Sequence, residues 1–333
     1  MAIGLIDNTL VFEFPEVHPD ATLHVTFQRT LRVPDDGRDH HLPPGLGCFP
    51  LRTVDDLPQV RIPADWRRRG GVAMPMWQAE ACWLSFSSPS GYPFALKIAA
   101  GMVNAVNGKF WTDELDVVDQ DYVEVPGQPW LDGFCVAKDT VRQFVAMPLG
   151  QDYTAEEQVT GKTEHGGLQL LARPLRGELW EQRKAEWGTF EPACAMQCEA
   201  SPPAAGAMGL APGGSIRQQI NKAQELMEDW EPTVRSRCFV HISNSLAWRA
   251  ATGATPPASP PTAADYTRAG LPWFAWYDDR PALRGSQILA SLASVNALER
   301  QRGEAVLPEN EGFEPPEPVK LKPSRSRDVR SSF

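Results

Sequence analysis

The chain has 333 residues and a formal net charge of −10. Its length corresponds to about two domains at roughly 150 residues each, and its 42% hydrophobic and 22% charged residues are the composition of a chain that folds. The acidic balance excludes a protein whose affinity comes from a broad basic surface, so nucleic acid is not an expected partner.

The first residues, MAIGLIDNTLVFEF, have no basic region, carry Asp7 and alternate Leu10, Phe12 and Phe14. They read as a strand, not a secretory leader, and the expected compartment is cytoplasmic. In 23–33 the odd positions Leu23, Val25, Phe27, Leu31 and Val33 are apolar, the period of a half-buried strand, with Arg29 alone breaking the apolar face. Strands are expected at 81–86 and 94–98, with Lys97 on the polar side and Glu80 beside the first. The longest apolar run, 94–106, has 13 residues and is broken by Lys97 and Asn104; a bilayer-spanning helix needs ~20, so no membrane span is expected. Asn107-Gly108 between 103–106 and 109–111 predicts a hairpin, because both residues tolerate positive φ. A second hairpin should join 134–137 to 141–147 through Lys138-Asp139-Thr140.

Thr154 with Glu157 three residues on has the spacing of a capping box, predicting a short helix over 155–159 before Gly161. Residues 168–173 read as the last strand. From 176 to 207 the texture changes to Trp180, Trp187, Cys194, Cys198 and Ser-Pro-Pro-Ala-Ala-Gly, which reads as a linker or long loop. Helices are expected after it. Ser215 with Gln218, and the stripe Ile216, Ile220, Ala223, Met227 and Trp230, predict one over 216–230. Asn244 to Gly253 and Thr262 to Gly270 frame two more. Ile288, Leu292, Val295 and Leu298 on one face predict a single helix over 286–302. The tail from 304 is Pro-rich, acidic and then basic, as disordered segments are. The expectation is thus an α+β protein: a β-rich domain at 1–175, an antiparallel sandwich or barrel-like unit, then a linker at 176–207, a mainly helical region at 208–303 and a disordered tail at 304–333.

Catalytic signatures are absent. Gly161-Lys162-Thr163 lacks the earlier glycine of a phosphate loop, and Gly45-Leu46-Gly47 lacks the third glycine of a dinucleotide fingerprint. No G-x-S-x-G, H-E-x-x-H or C-x-x-C occurs. Asp35, Asp36, Asp39, His40 and His41 hold oxygens and imidazoles suited to a divalent ion, but Pro34-Asp-Asp-Gly37 is turn chemistry, so no metal and no cofactor is implied. Cys194 and Cys198 with Cys238 or His165 are a loose zinc pattern. Six cysteines, Cys48, Cys82 and Cys135 among them, are too few for a disulfide scaffold.

His165, before Gly166-Gly167 and beside Glu164, is the candidate general base, and Cys238 or Cys135 would complete a Cys-His nucleophile for a hydrolase or transferase. His241, in FVHIS, reads as a core histidine. Arg29 and Glu80 both fall in apolar strand registers and would pair with each other if buried. Ala211-Pro-Gly-Gly-Ser215 before a helix would suit an anion. Of 11 Trp, Trp66, Trp77, Trp83, Trp111 and Trp130 fall in or near the β half, and Trp83, Trp111 and Trp130 are candidate binding aromatics with Arg29 and Glu80.

The runs RTLRVPDDG (29–37), LPPGLG (42–47), QDYVEVPGQPWLDG (120–133), RQFVAMPLG (142–150), EQVTGKTEHGGLQ (157–169), MGLAPGG (208–214) and AGLPWF (269–274) resemble an uncharacterised bacterial family. Its members often carry an "integral membrane protein" label, which the lack of a spanning segment contradicts. Some relatives carry a ubiquitin unit between the β part and the MGLAPGG-like run, where this chain has its Cys- and Pro-containing segment. The resemblance implies no activity and no site residues. The function expected is a soluble binding or scaffold protein with a protein partner, and the alternative is the Cys/His enzyme centred on His165.

Overall fold

The computed structural model describes residues 2–187, 207–253, 255–276, 278, 280–304, 313 and 316–321. The alternation read at 23–33 becomes the strand Thr22–Thr30, whose Leu23, Val25 and Phe27 are fully buried. Before it, Ala2–Ile6 and Thr9–Glu13 form a hairpin closed by Asp7 and Asn8, both at positive φ. Short polar side chains tolerate that conformation through local hydrogen bonds. Strands then follow one another across the sheet in the order Ala2–Ile6, Thr9–Glu13, Thr22–Thr30, Ala81–Ser87, Thr140–Pro148, Ala207–Arg217, Ser236–Ser243, Leu168–Pro174 and Phe94–Ala100, every neighbour antiparallel. Asp39–His40 and Val72–Pro75 add parallel pairings at Ala207–Arg217 and Ser236–Ser243. The chain is a mostly antiparallel β protein with few helices, in keeping with the α+β expectation.

Leu168–Pro174 is not the last strand, and the sheet does not end at 175. Residues 208–243 supply two of its inner strands, so the expectation of a mainly helical region there is corrected. The apolar stripe at 216–230 is real, but the backbone amides that a helix would use are taken by side chains from 120–132. Gln128 Oε1 accepts from Asn221 N at 3.0 Å, Gln120 Oε1 from Ala223 N at 2.7 Å, and both Glu124 oxygens accept, from Gln224 N and Glu225 N at 2.8 Å. With its donors satisfied in extended form, the segment has no reason to coil. MGLAPGG therefore lies in a strand, and the helix-start anion site expected at 211–215 does not exist.

The helix expected over 286–302 is two, Gln287–Ser291 and Val295–Arg302. Gln158 makes both hydrogen bonds to Ala293, accepting from its N–H at 2.7 Å and donating to its carbonyl at 3.0 Å, which removes that residue from the helix ladder. The Ser294 side chain then caps the second helix. Asn244 and Thr262 cap Ser245–Thr252 and Ala263–Arg268 as read, and Thr154 with Glu157 forms a full capping box on Ala155–Thr160.

The hairpin of Gly133–Ala137 with Thr140–Pro148 is present, turning at Asp139. At 101–111 one hairpin turn falls at Gly101 and Met102, and Asn107-Gly108 closes a loop whose arms meet in an antiparallel bridge between Val103 and Phe110, with Asn104 N donating to Lys109 O at 2.9 Å and Trp111 N to Met102 O at 2.8 Å. Within the expected linker, Gly177–Trp187 is helical, and Trp180 is buried against Tyr92 at 5.0 Å between ring centroids. Residues 188–206, with Cys194 and Cys198, lie outside the described residues, as does most of the tail; Val319–Leu321 pairs in parallel with Phe274–Trp276, correcting the disorder expected there. No helix among the described residues is long and apolar enough to cross a membrane.

Candidate functional site

The five binding candidates do not share one site. Arg29 and Glu80 do pair: Arg29 Nε donates to Glu80 Oε1 at 2.8 Å, and Glu80 Oε2 accepts from Trp77 N at 2.8 Å. Burial raises the Glu80 carboxyl above its usual range against the opposing pull of Arg29. Arg29 Nη2 also donates to Ala258 O at 2.5 Å and Trp77 Nε1 to Pro257 O at 2.8 Å, so this pair fastens the proline connector to the sheet. The task is internal.

Trp83 and Trp130 meet in a groove of about 250 Å³ with Pro43, Pro44, Phe274 and Trp276. Trp130 packs edge-on against Trp276 at 4.8 Å and donates its indole N–H to Asp132 Oδ2 at 2.7 Å. Complete burial pushes the Asp132 carboxyl up to about 7. No sequence signal distinguished Asp132, because its environment comes from strands far apart in the chain.

Trp111 and His165 belong to a separate cavity of about 420 Å³, lined also by Arg68, Arg69, Gln169, Arg237, Cys238 and Phe239. His165 Nδ1 lies 2.8 Å from Glu156 Oε1, and the same carboxylate accepts from Glu164 N, His165 N and Gly166 N at 3.0, 2.8 and 2.7 Å. With three backbone N–H groups already aimed at Glu156, the tautomer of a neutral His165 that donates Nδ1–H to it leaves the Nε2 lone pair turned away from Glu156. This orienting partner is Glu156, at the N-terminus of the capped helix, and not the adjacent Glu164. Cys238 lines the same cavity, but burial pushes its thiol up to about 12, and its Sγ donates to the Phe239 carbonyl. A thiol in that state is a poor nucleophile. Cys135, likewise pushed up to about 12, lies in a different part of the sheet, its carbonyl bound to Ser286 N.

A further concavity of about 820 Å³ was not read from the sequence. Its rim gathers Val117, Val118, Leu226, Met227 and Ile288, which are 40, 95, 60, 36 and 41% exposed. Asp119 and Glu225 face it together with Lys222 and Arg284. Its walls are fixed by hydrogen bonds between remote segments: Ser286 Oγ to Asn107 O at 2.6 Å, Lys222 N to Pro281 O at 2.8 Å and Leu283 N to Ile220 O at 2.8 Å. Gly108 and Gly285 permit this closeness; a Cβ on Gly108 would sit 2.9 Å from Ile288 Cβ, and one on Gly285 2.4 Å from Ala137 backbone.

Elsewhere, His241 is the core histidine expected, stacked between Trp66 and Phe239, with Nε2 2.9 Å from Gly70 O. His40 reaches Asp36 at 3.0 Å, and among the described residues no three metal-ligating side chains gather. Lys97, expected to face solvent, is buried 2.5 Å from Asp121 with its ammonium 5.5 Å from the Trp111 ring. The alternation was right, but the opposite face of its strand is covered by the 105–122 loop. No family model, curated protein or solved structure matches the chain.

Proposed function

We propose that the chain is a protein-binding module whose partner presents an apolar ridge to the 820 Å³ groove. The carrying observation is the convergence of five exposed apolar side chains from three remote segments on a hydrogen-bonded, preformed surface. Large apolar residues gathered and rimmed by polar groups mark interaction sites, whereas scattered ones do not. The mixed-sign rim of Asp119, Glu225, Lys222 and Arg284 suits a polypeptide carrying both charges around an apolar stripe, and neither a lipid surface nor a polyanion. A rigid groove also lowers the ordering cost of association. The four described cysteines are free thiols, consistent with the reducing cytoplasm as the proposed compartment.

Photo-crosslinking groups at Val118 and Leu226 should capture one discrete partner that Val60, 92% exposed and outside the groove, does not. Val118→Asp should then weaken that purified partner's binding at least tenfold. Equal capture from Val60, or crosslinks only between copies of the chain, would overturn the reading. The Cys/His enzyme has one observation in its favour, the shared cavity of His165 and Cys238. The state of the thiol speaks against it: native labelling by thiol-reactive probes should leave Cys238 unmodified, and His165-dependent labelling would restore the enzyme.

A further inference from the structure

The His165 cavity is cationic in a chain whose net charge is −10. Three arginines and one histidine line it, and its lining includes no Asp or Glu among the described residues. Arg69 is placed with care. Its guanidinium lies 5.0 Å over the Phe239 ring, at the end of the stack that runs from Trp66 through His241, and its Nη2 donates to Glu164 O at 3.0 Å. Among the described residues no carboxylate lies within ion-pair distance of it. Arg68 and Arg237 do pair, with Asp65 at 2.6 Å and Asp113 at 2.7 Å, but both arginine side chains are more than 60% exposed. Exposed pairs of this kind are worth little and yield to a stronger anion. His165, oriented through Nδ1 by Glu156, keeps Nε2 for a ligand.

We propose that this cavity binds the phosphate group of a small phosphorylated molecule. Guanidinium forks match phosphate oxygens two at a time, and a dianion with three terminal oxygens satisfies several forks and an imidazole together, which a singly charged carboxylate does not. The cavity is of small-molecule size. Trp111, Met102, Leu170 and Phe239 supply an apolar wall for the group that carries the phosphate. The site is separate from the proposed protein groove and stands or falls without it.

Inorganic phosphate, phenyl phosphate and acetate titrated calorimetrically into the full chain at low ionic strength test the proposal. Saturable binding of phosphate is expected, tighter for phenyl phosphate, with acetate at least tenfold weaker. Arg237→Ala, at an exposed side chain whose loss leaves the core intact, should weaken phosphate at least tenfold, and Arg69→Lys should do so by removing the fork while keeping the charge. Arg268→Ala, at an exposed arginine outside the cavity that pairs with Asp265, should change nothing. Absence of saturable phosphate binding, acetate binding as tight as phosphate, or equal weakening by Arg268→Ala would each overturn the proposal. Tighter inorganic than aryl phosphate would overturn the part that assigns a phosphorylated molecule over free phosphate.

Discussion

Charged side chains in apolar strand registers are the informative single residues here. Arg29 and Glu80 each violate the pattern around them, and a buried charge without a partner is expensive, so their pairing was legible from the sequence. Lys97 and Asp121 follow the same rule, but Lys97 fell on the polar side of its strand and gave no warning. Removing one member of a buried pair should cost about 3–5 kcal/mol. Glu80→Ala and Arg29→Met are therefore each expected to lower the denaturation free energy by several kcal/mol, with the double variant losing less than the sum of the two. Additive losses in that cycle would mean that the two charges do not interact. Glu156 shows the complementary case: nothing in EEQVTGKTEHGG separates it from Glu164, because its role arises from three backbone N–H groups that the turn at 164–166 aims at it.

Capping chemistry located helices well, and side-chain competition for the backbone located their failures. Thr154 Oγ1 accepts from Glu157 N and donates to Glu157 Oε2, while Glu157 also accepts from Gly150 N, Gln151 N and Thr154 N. Thr154→Ala should cost about 1–2 kcal/mol, the usual loss of a cap. Glu157→Ala should cost more, because it orphans buried donors outside the helix as well. Denaturant midpoints for the two variants check the ranking, and an equal loss would contradict it. The same accounting explains 216–230 and 286–302. In both, apolar periodicity was satisfied and the helix was still cut short, since Gln120, Glu124, Gln128 and Gln158 reached the backbone first.

For the whole molecule, two buried titratable groups pull stability in opposite directions with pH. Asp132, pushed up to about 7, holds a proton in the folded state that the unfolded chain has released, so its contribution falls as pH rises from about 4 to 7, by roughly 4 kcal/mol at most. His241, pushed down to about 4 by burial, stays neutral when folded; its contribution is full above about 6.5 and is lost as pH falls toward 4, by roughly 3 kcal/mol. Between pH 4 and 6.5 these two contributions have opposite signs. Asp132→Asn keeps the Trp130 acceptor and removes the first effect. It should be more stable than wild type at pH 8 and should lose more stability than wild type as pH falls from about 7 to 4. A profile unchanged from wild type in denaturation at several pH values would refute the Asp132 assignment.

What the sequence determined by itself was local: period-2 alternation at 22–30, capping residues before short helices, turn residues at 138–140, and two charges out of register. These follow from interactions within a few residues, or from the cost of burying charge, and need no knowledge of neighbours. Only the tertiary structure decided that strands from both sides of 176–207 belong to one sheet, that the apolar stripe at 216–230 forms no α-helix, and that the candidate tryptophans divide between two cavities. Each depends on which distant groups arrive first at a given backbone amide or side-chain face. The groove at Val118, Leu226 and Ile288 was hidden for the same reason: three isolated exposed residues become a surface only when folding sets them side by side.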